Sequence, residues 1–458
     1  MKKAISLTLS LAIAGSCCMF DTAVKDECSA IRAVSIIEQG TYELSDDASL
    51  GYALTDGGEF YVCKFQGTAS EVEVPLEING RKVDYVAAYT FRGCTGLTSI
   101  TIPEGIKDIR AAAFEGCTGL TSLTIPDSVS YIHNGLCKDC TNLRSVTLPE
   151  KVDVIDMEAF ENCTSLESIN VPDDTVYVLR DSFTNTKWYD DQPDGMVTVG
   201  QAMYKYKGTM PENSSITIPD NIKFIGDSAF AGCAGMTSVK VSDDVKEIEN
   251  YAFKDCTDLK TVSLPDNLED IYQGAFENCT GLTSIDLPDG LKTIYFGVFK
   301  DCTGLTSVKL PKGLVSIASY AFENCTGLTS VTLPDGTEYL MNNAFKDCKN
   351  LTKIVIPEST NMIEEDVFLN CSPDLTIYGY KNSAAETYAK EHNIKFAEYD
   401  PNTAQQTTAA STTAKTSATT TAKKTDSPKT GDRGVAGVLA LGISAAVLSL
   451  ISLRKRNR

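Results

Sequence analysis

The side chains able to do chemistry are few and scattered. Two histidines, His133 and His392, are the whole imidazole supply. They fall in different regions of the chain, so neither gathers a Ser-His-Asp or Cys-His arrangement around it. The sequence holds no Gly-Lys-Ser phosphate loop and no His-Glu-x-x-His. Cys137 and Cys140 have the spacing of a redox pair, but both occupy positions that the surrounding pattern fills with core residues, which reads as structural. The carboxylate pairs Asp173-Asp174 and Asp243-Asp244 have the chemistry to take calcium, yet they sit in turns where solvated carboxylates are ordinary. This chain reads as one without catalytic residues, cofactor or metal, and therefore not as an enzyme. Its formal net charge of −20 argues against nucleic acid, whose phosphates are bound by Lys and Arg.

The elements that position these residues are repeats. Cysteine recurs every 23 residues at Cys94, Cys117, Cys140 and Cys163, then again from Cys233 through Cys256, Cys279, Cys302, Cys325 and Cys348 to Cys371. A fixed period in the twenties marks a leucine-rich solenoid, in which each turn buries its apolar edge only by stacking on its neighbours. Phenylalanine follows the same period, as in Phe253, Phe276, Phe299 and Phe322, with Cys137 standing where other repeats carry Phe. Leu259, Leu282, Leu305 and Leu328 form a further core column. Segments such as Ile285-Asp286-Leu287 alternate inward apolar with outward polar residues, the period of a strand, and Pro288 and its equivalents end them. A second extended piece, Leu291 to Ile294, leads into the corner that holds Phe299.

Sixteen cysteines would suggest disulfides in a secreted chain, but the period overrules that reading for the repeats. Neighbouring coils lie about 4.8 Å apart with equivalent side chains parallel, whereas a disulfide needs Cβ atoms aimed at each other. A reduced, buried thiol ladder is expected, with Cys acting as a small hydrophobe. The off-pattern Cys28 and Cys63 are left open as either a disulfide or two free thiols.

Together these features resemble the BspA-type, or Treponema pallidum-like, leucine-rich-repeat family of bacterial surface proteins. The resemblance rests on Ala-Phe-x-x-Cys-x-x-Leu-x-x-Val-x-Leu-Pro, present in variants from Thr90 to about Pro357. It implies a noncatalytic surface protein engaged in adhesion to host matrix or to other microbes, and names no ligand.

The period breaks once, between Cys163 and Cys233. Trp188 and the run Asp190 to Gly195 belong to no repeat, Met196 to Lys207 alternates as a hairpin would, and Ile216 to Pro219 restarts the pattern. A structural splice that changes curvature is favoured over a binding protrusion or hinge.

Both ends differ in kind from the repeats. Met1-Lys2-Lys3 followed by apolar residues to about Met19 has the form of a secretory signal peptide. Ala14-Gly15-Ser16-Cys17 hints at lipoprotein processing, with Ala where that motif prefers Leu. From Pro401 to Asp426 the composition is Thr, Ala, Ser and Lys, which predicts an extended, disordered stalk. Then come Ser427-Pro428-Lys429-Thr430-Gly431, the apolar run Val435 to Leu453, and Arg454-Lys455-Arg456. A run of that length spans a bilayer and the basic cluster holds its end in the cytoplasm. The order resembles the Leu-Pro-x-Thr-Gly cell-wall sorting signal of Gram-positive bacteria, with Ser427 in place of Leu. That resemblance implies a sortase that cuts between Thr430 and Gly431 and joins Thr430 to the wall.

The expected fold is a β-rich right-handed leucine-rich-repeat solenoid of 23-residue repeats, capped at both ends, with a disordered stalk and a C-terminal transmembrane helix. Its expected divisions are a signal peptide at 1–33, an N-terminal β cap at 34–83, and repeats at 84–182. An inserted segment at 183–215 precedes repeats at 216–379 and a cap helix at 380–400; the stalk spans 401–426 and the sorting signal 427–458, its membrane segment at 435–453. Aromatics outside the core columns, Tyr272, Tyr295 and Phe296, are the candidate ligand contacts, because exposed aromatics mark protein or glycan recognition. The expected partners are a sortase during anchoring, the membrane through the C-terminal helix, and a host-matrix, microbial-surface or glycan ligand. A self-associating surface protein without a foreign ligand is the alternative.

Overall fold

A computed structural model describes residues 42–45, 49–55 and 57–400. The expected signal peptide, stalk, sorting pentapeptide Ser427 to Gly431 and membrane segment, and Cys28, lie outside them. Among the described residues, no helix is long and apolar enough to cross a membrane.

The described chain is a β-solenoid. Each coil contributes a long strand and a short strand, represented by Ser284–Asp286 and Thr293–Ile294. Each pairs in parallel with its equivalent in the next coil, Ser284 opposite Ser307 and Thr293 opposite Ser316, which is the 23-residue period made physical. Within the long strand Ile285 is buried while Ser284 and Asp286 face solvent, as a strand with one wet face requires. The corner after the short strand is a run of tight turns rather than a helix, and it is itself laddered: the Phe276 N–H donates to the Val298 carbonyl one coil on, at 2.9 Å.

The corner places one residue in the left-handed region just before each cysteine, at Asp255, Asn278, Asp301 and Asn324, with φ between 57° and 60°. Asn and Asp tolerate this conformation better than other residues with a Cβ. The column also supplies side-chain bonds across coils, Asn278 Nδ2 to Asp255 Oδ1 at 2.7 Å and Asn324 Nδ2 to Asp301 Oδ1 at 2.9 Å. Behind it the phenylalanines of the second array stack without a break from Phe230 to Phe368. Phe276 lies 5.2 Å from Phe253 and 5.7 Å from Phe299, with the rings within 5° of parallel.

The cysteines do more than fill space. Cys279 Sγ donates to the Phe253 carbonyl at 3.1 Å and Cys302 Sγ to the Phe276 carbonyl at 3.0 Å, and the pattern repeats up the stack. Even Cys163 follows it, bonding the carbonyl of Cys137, which stands in the Phe column. A column needing a small apolar body with one weak donor is met by Cys and not by Ala or Val. Every described cysteine is a free thiol, Cys63 included. Burial pushes Cys302 up to about 12 and Cys233 to about 11. Since the thiolate is the reactive form, a maleimide at pH 8 should label Cys94 and Cys371, the two half-exposed thiols, and spare the buried ones until urea is added. Rapid labelling of Cys279 or Cys302 in the native protein would contradict the ladder.

At the break in period, Gly195–Val199 and Ala202–Lys207 form an antiparallel hairpin. It does not stand off the stack. Its second strand pairs in parallel with Phe224–Ile225, so it serves as one coil's short strand. Trp188 packs on Phe183 at 4.7 Å, and the Tyr204 hydroxyl accepts from the Phe183 N–H at 3.0 Å, which ties the splice to the last Phe of the first array.

At the far end the structure adds a strand that the sequence reading lacks. Thr376–Gly379 is not the last: after the helix Ala384–Glu391, Lys395–Glu398 returns to pair beside it in parallel. The helix is capped by Ser383, whose side chain accepts from the Glu386 N–H, and it buries Ala385, Tyr388 and Ala389.

Candidate binding face

The short strands build the face where the candidate aromatics lie. In each, one inward aliphatic is flanked by two residues on the opposite side of the strand. Around Ile248 these are Glu247 and Glu249; around Ile271, Asp270 and Tyr272; around Ile294, Thr293 and Tyr295. Parallel pairing at one-coil offset sets Glu247 beside Asp270. Phe296 follows immediately after this strand.

Tyr272 and Tyr295 come together, with ring centroids 5.3 Å apart. Both are half-buried rather than exposed, because each ring lies against the carboxylate coils before it; the Tyr295 hydroxyl donates to Asp270 Oδ1 at 3.1 Å. Phe296 is the openly exposed member, at 43%, and its ring meets Tyr320 at 5.1 Å. Tyr320 and Tyr251 both sit at left-handed φ, near 60°, in the corner column that Gly274 and Gly297 also occupy. Holding a bulky residue there costs of order 1 kcal/mol or more.

Sequence reasoning missed the carboxylates of this face. Tyr177 lies along it, edge-on to Phe224 at 4.9 Å, and its hydroxyl donates to Glu247 Oε1 at 3.1 Å. Glu249 is buried and accepts from the backbone and side-chain N–H groups of Asn250 at 3.2 and 2.9 Å. Burial, reinforced by the neighbouring acids Glu247, Asp227 and Asp270, pushes the Glu249 carboxyl up to about 8. Burial raises Glu247 and Asp270 as well. The available signal was the pair of positions flanking each short-strand aliphatic.

Among the described residues, the other groups that the sequence singles out stay apart from one another. His133 pairs with Asp108 at 2.8 Å, while His392 donates from Nδ1 to the Tyr388 carbonyl and stacks on that ring at 3.9 Å. His392 also lines an open cleft of 280 Å³ with Cys371 and Leu369, where Cys371 Sγ is committed to the Phe345 carbonyl. Cys137 is fully buried, which pushes its thiol well up, and Cys140 donates to the Phe114 carbonyl. Asp173, Asp174, Asp243 and Asp244 are exposed turn residues. Among the described residues, no group of three His, Cys, Asp or Glu converges as a metal site would need. The outward long-strand residues Thr124, Thr217, Lys240, Asp286 and Thr332 are exposed and make a polar, Thr-rich surface, which ends at the buried Val355.

Coils of this length, built on paired parallel strands with a Phe-Cys-Leu core, define a leucine-rich-repeat solenoid. The sequence model of the BspA type leucine rich repeat region matches in six copies over residues 64–189, 202–302 and 271–390, so the chain belongs to the BspA-type leucine-rich-repeat family. Solved structures similar to it include a leucine rich cell surface protein of Faecalibacterium prausnitzii A2-165, at 22% identity and TM-score 0.33 over 67% of this chain and 97% of that one. A leucine-rich repeat protein of Bacteroides ovatus ATCC 8483 is 23% identical, with TM-score 0.31, over 64% of this chain and 98% of that one. The pneumococcal vaccine antigen PcpA is 18% identical, with TM-score 0.34, over 78% of this chain and 98% of that one. No curated protein matches the chain.

Proposed function

We propose that this is a noncatalytic cell-surface binding protein, an adhesin that presents its repeat face to a protein or glycan of host matrix or of another microbial surface. The observation that carries the reading is the Tyr272 and Tyr295 pair, brought together on adjacent coils outside the core stack, with the exposed Phe296 next to Tyr295 in the chain and packed on Tyr320. Tyrosine clusters combine apolar area with hydroxyls at low entropic cost, which suits recognition rather than turnover. The Lys2-Lys3 leader supports export. The order Ser427 to Gly431, apolar run and basic tail supports a route in which the chain is held in the membrane until a sortase cuts after Thr430 and links it to the wall. The Thr-rich stretch then acts as a stalk that lifts the solenoid clear of the surface.

The test is binding of the detergent-solubilised full chain to a panel of matrix proteins and glycans, with and without Tyr272→Ala plus Tyr295→Ala. Affinity for the recognised member should fall at least ~10-fold, as for removal of paired aromatic anchors. Undiminished binding by a double variant that unfolds cooperatively would refute the role of this face.

A further inference from the structure

The two repeat arrays use the short-strand face differently, and the first shows what the second is built to receive. In the first array, Asp108 and Arg110 flank Ile109, and His133 flanks Ile132 in the next coil. The Arg110 guanidinium lies 3.8 Å from the Tyr85 ring centroid while its Nε meets Asp108 Oδ2 at 3.3 Å, and His133 Nε2 meets Asp108 Oδ1 at 2.8 Å. Burial works against the Asp108 charge, yet His133 and Arg110 outweigh it and hold the carboxyl below the usual range. A tyrosine, a carboxylate and a guanidinium thus form one unit across adjacent coils.

In the second array the column of Tyr85 and Asp108 carries the acids Glu247 and Asp270, and the column that holds the first array's cations carries tyrosines instead, so among the described residues no cation stands there. Asp270 stands in the Asp108 column, and Tyr272 and Tyr295 stand in the one column that holds Arg110 and His133. The donors to these acids are neutral: Tyr177 to Glu247, Tyr295 to Asp270 and Asn250 to Glu249. Cross-coil ion pairs are common at other columns, as in Lys254 with Glu277 at 3.1 Å and Lys346 with Glu323 at 2.8 Å. Among the described residues, no ion pair reaches Glu247, Glu249 or Asp270 from the lysines that serve the neighbouring coils, such as Lys246, which pairs with Glu269 instead. The chain as a whole carries −20, so a basic partner is also attracted from a distance.

Resting on the binding-face reading above, we propose that the short-strand face from Glu247 to Phe296 docks a basic protein segment through an arginine. Its guanidinium stacks on the Tyr272 and Tyr295 pair and hydrogen-bonds Glu247 and Asp270, combining ring, carboxylate and guanidinium as the first array does with Arg110, here with the rings in the cation column. Guanidinium suits this site better than ammonium, because its plane stacks on a ring while its edge donates to a carboxylate. Phe296 and Tyr320 extend the contact at the rim.

The test uses the solubilised full chain and a fluorescent oligo-arginine peptide, with oligo-lysine and oligo-glutamate peptides of equal length, read by anisotropy at physiological salt. Glu247→Gln plus Asp270→Asn should weaken the arginine peptide at least ~10-fold, whereas Asp258→Asn plus Asp286→Asn, which removes the same charge from other surfaces, should leave it unchanged. Tyr272→Arg places a guanidinium where Arg110 stands in the first array; it should block the peptide equally and raise the melting temperature. Equal weakening by the two double variants would mean diffuse attraction and overturn the proposal, as would lysine binding as tightly as arginine. If no peptide binds but the Tyr272→Ala plus Tyr295→Ala variant still loses a glycan or matrix ligand, the binding face stands and this assignment of its partner falls.

Discussion

Phe276→Ala is expected to lower the unfolding free energy by about 3–5 kcal/mol, the range for truncating a fully buried aromatic. Phe276 has no exposed surface and is sandwiched between Phe253 and Phe299, so neither neighbour can relax into the gap without breaking its own stack. A second consequence follows from the architecture. Coils touch only their neighbours, so a solenoid's stability is a sum of coil and interface terms. Weakening one coil in mid-array uncouples the two sides, and urea unfolding should separate into two transitions where the wild type shows fewer. Ser284→Ala, on the exposed side of a long strand in the same coil, should change stability by less than about 0.5 kcal/mol. A Phe276→Ala loss below about 1 kcal/mol would mean that the ring stack is not what holds the coils in register.

The core was legible because stacking writes each buried position into the sequence at a constant interval. Phe276, Cys279, Leu282 and Ile285 return one period later as Phe299, Cys302, Leu305 and Val308. What each column does was less legible. The Cys279 thiol bonds a carbonyl 26 residues earlier, one period plus the width of a corner, and no periodicity in residue type reports an acceptor on the backbone. Lys395–Glu398 was missed because it lacks the Pro and the Phe-Cys spacing that mark most coils, and its place is set by the helix that carries it back. Tyr272 and Tyr295 stood out as aromatics off the core columns, but their depth depended on Asp270 and Glu247 one coil earlier. Those acids look like ordinary surface charges until the register brings them side by side.

Thr430→Ala should move the protein from the wall fraction to the membrane fraction almost completely. In the sorting reading the enzyme forms an acyl bond to the Thr430 carbonyl and releases the apolar run with its basic tail; a side chain without the hydroxyl is not accepted, and the uncut 19-residue run from Val435 to Leu453 stays in the bilayer. The solenoid itself should be unaffected, since Thr430 lies beyond its last strand, so the variant separates anchoring from folding. Unchanged wall attachment would contradict the reading. Ser427→Leu, which restores the commoner first position, should increase the efficiency of wall linkage without changing its site.

Whether the solenoid is displayed outside the cell decides whether its repeat face can meet a foreign partner. The decisive measurement is mass spectrometry of the native protein after peptidoglycan digestion, paired with mild external proteolysis of intact cells. Released chains whose last residue is Thr430, with repeat peptides shed by the external protease, are the predicted result. Chains that retain the Val435 to Leu453 run, or repeats that the protease does not reach, would contradict display at the wall and with it the assignment of the repeat face to partners outside the cell.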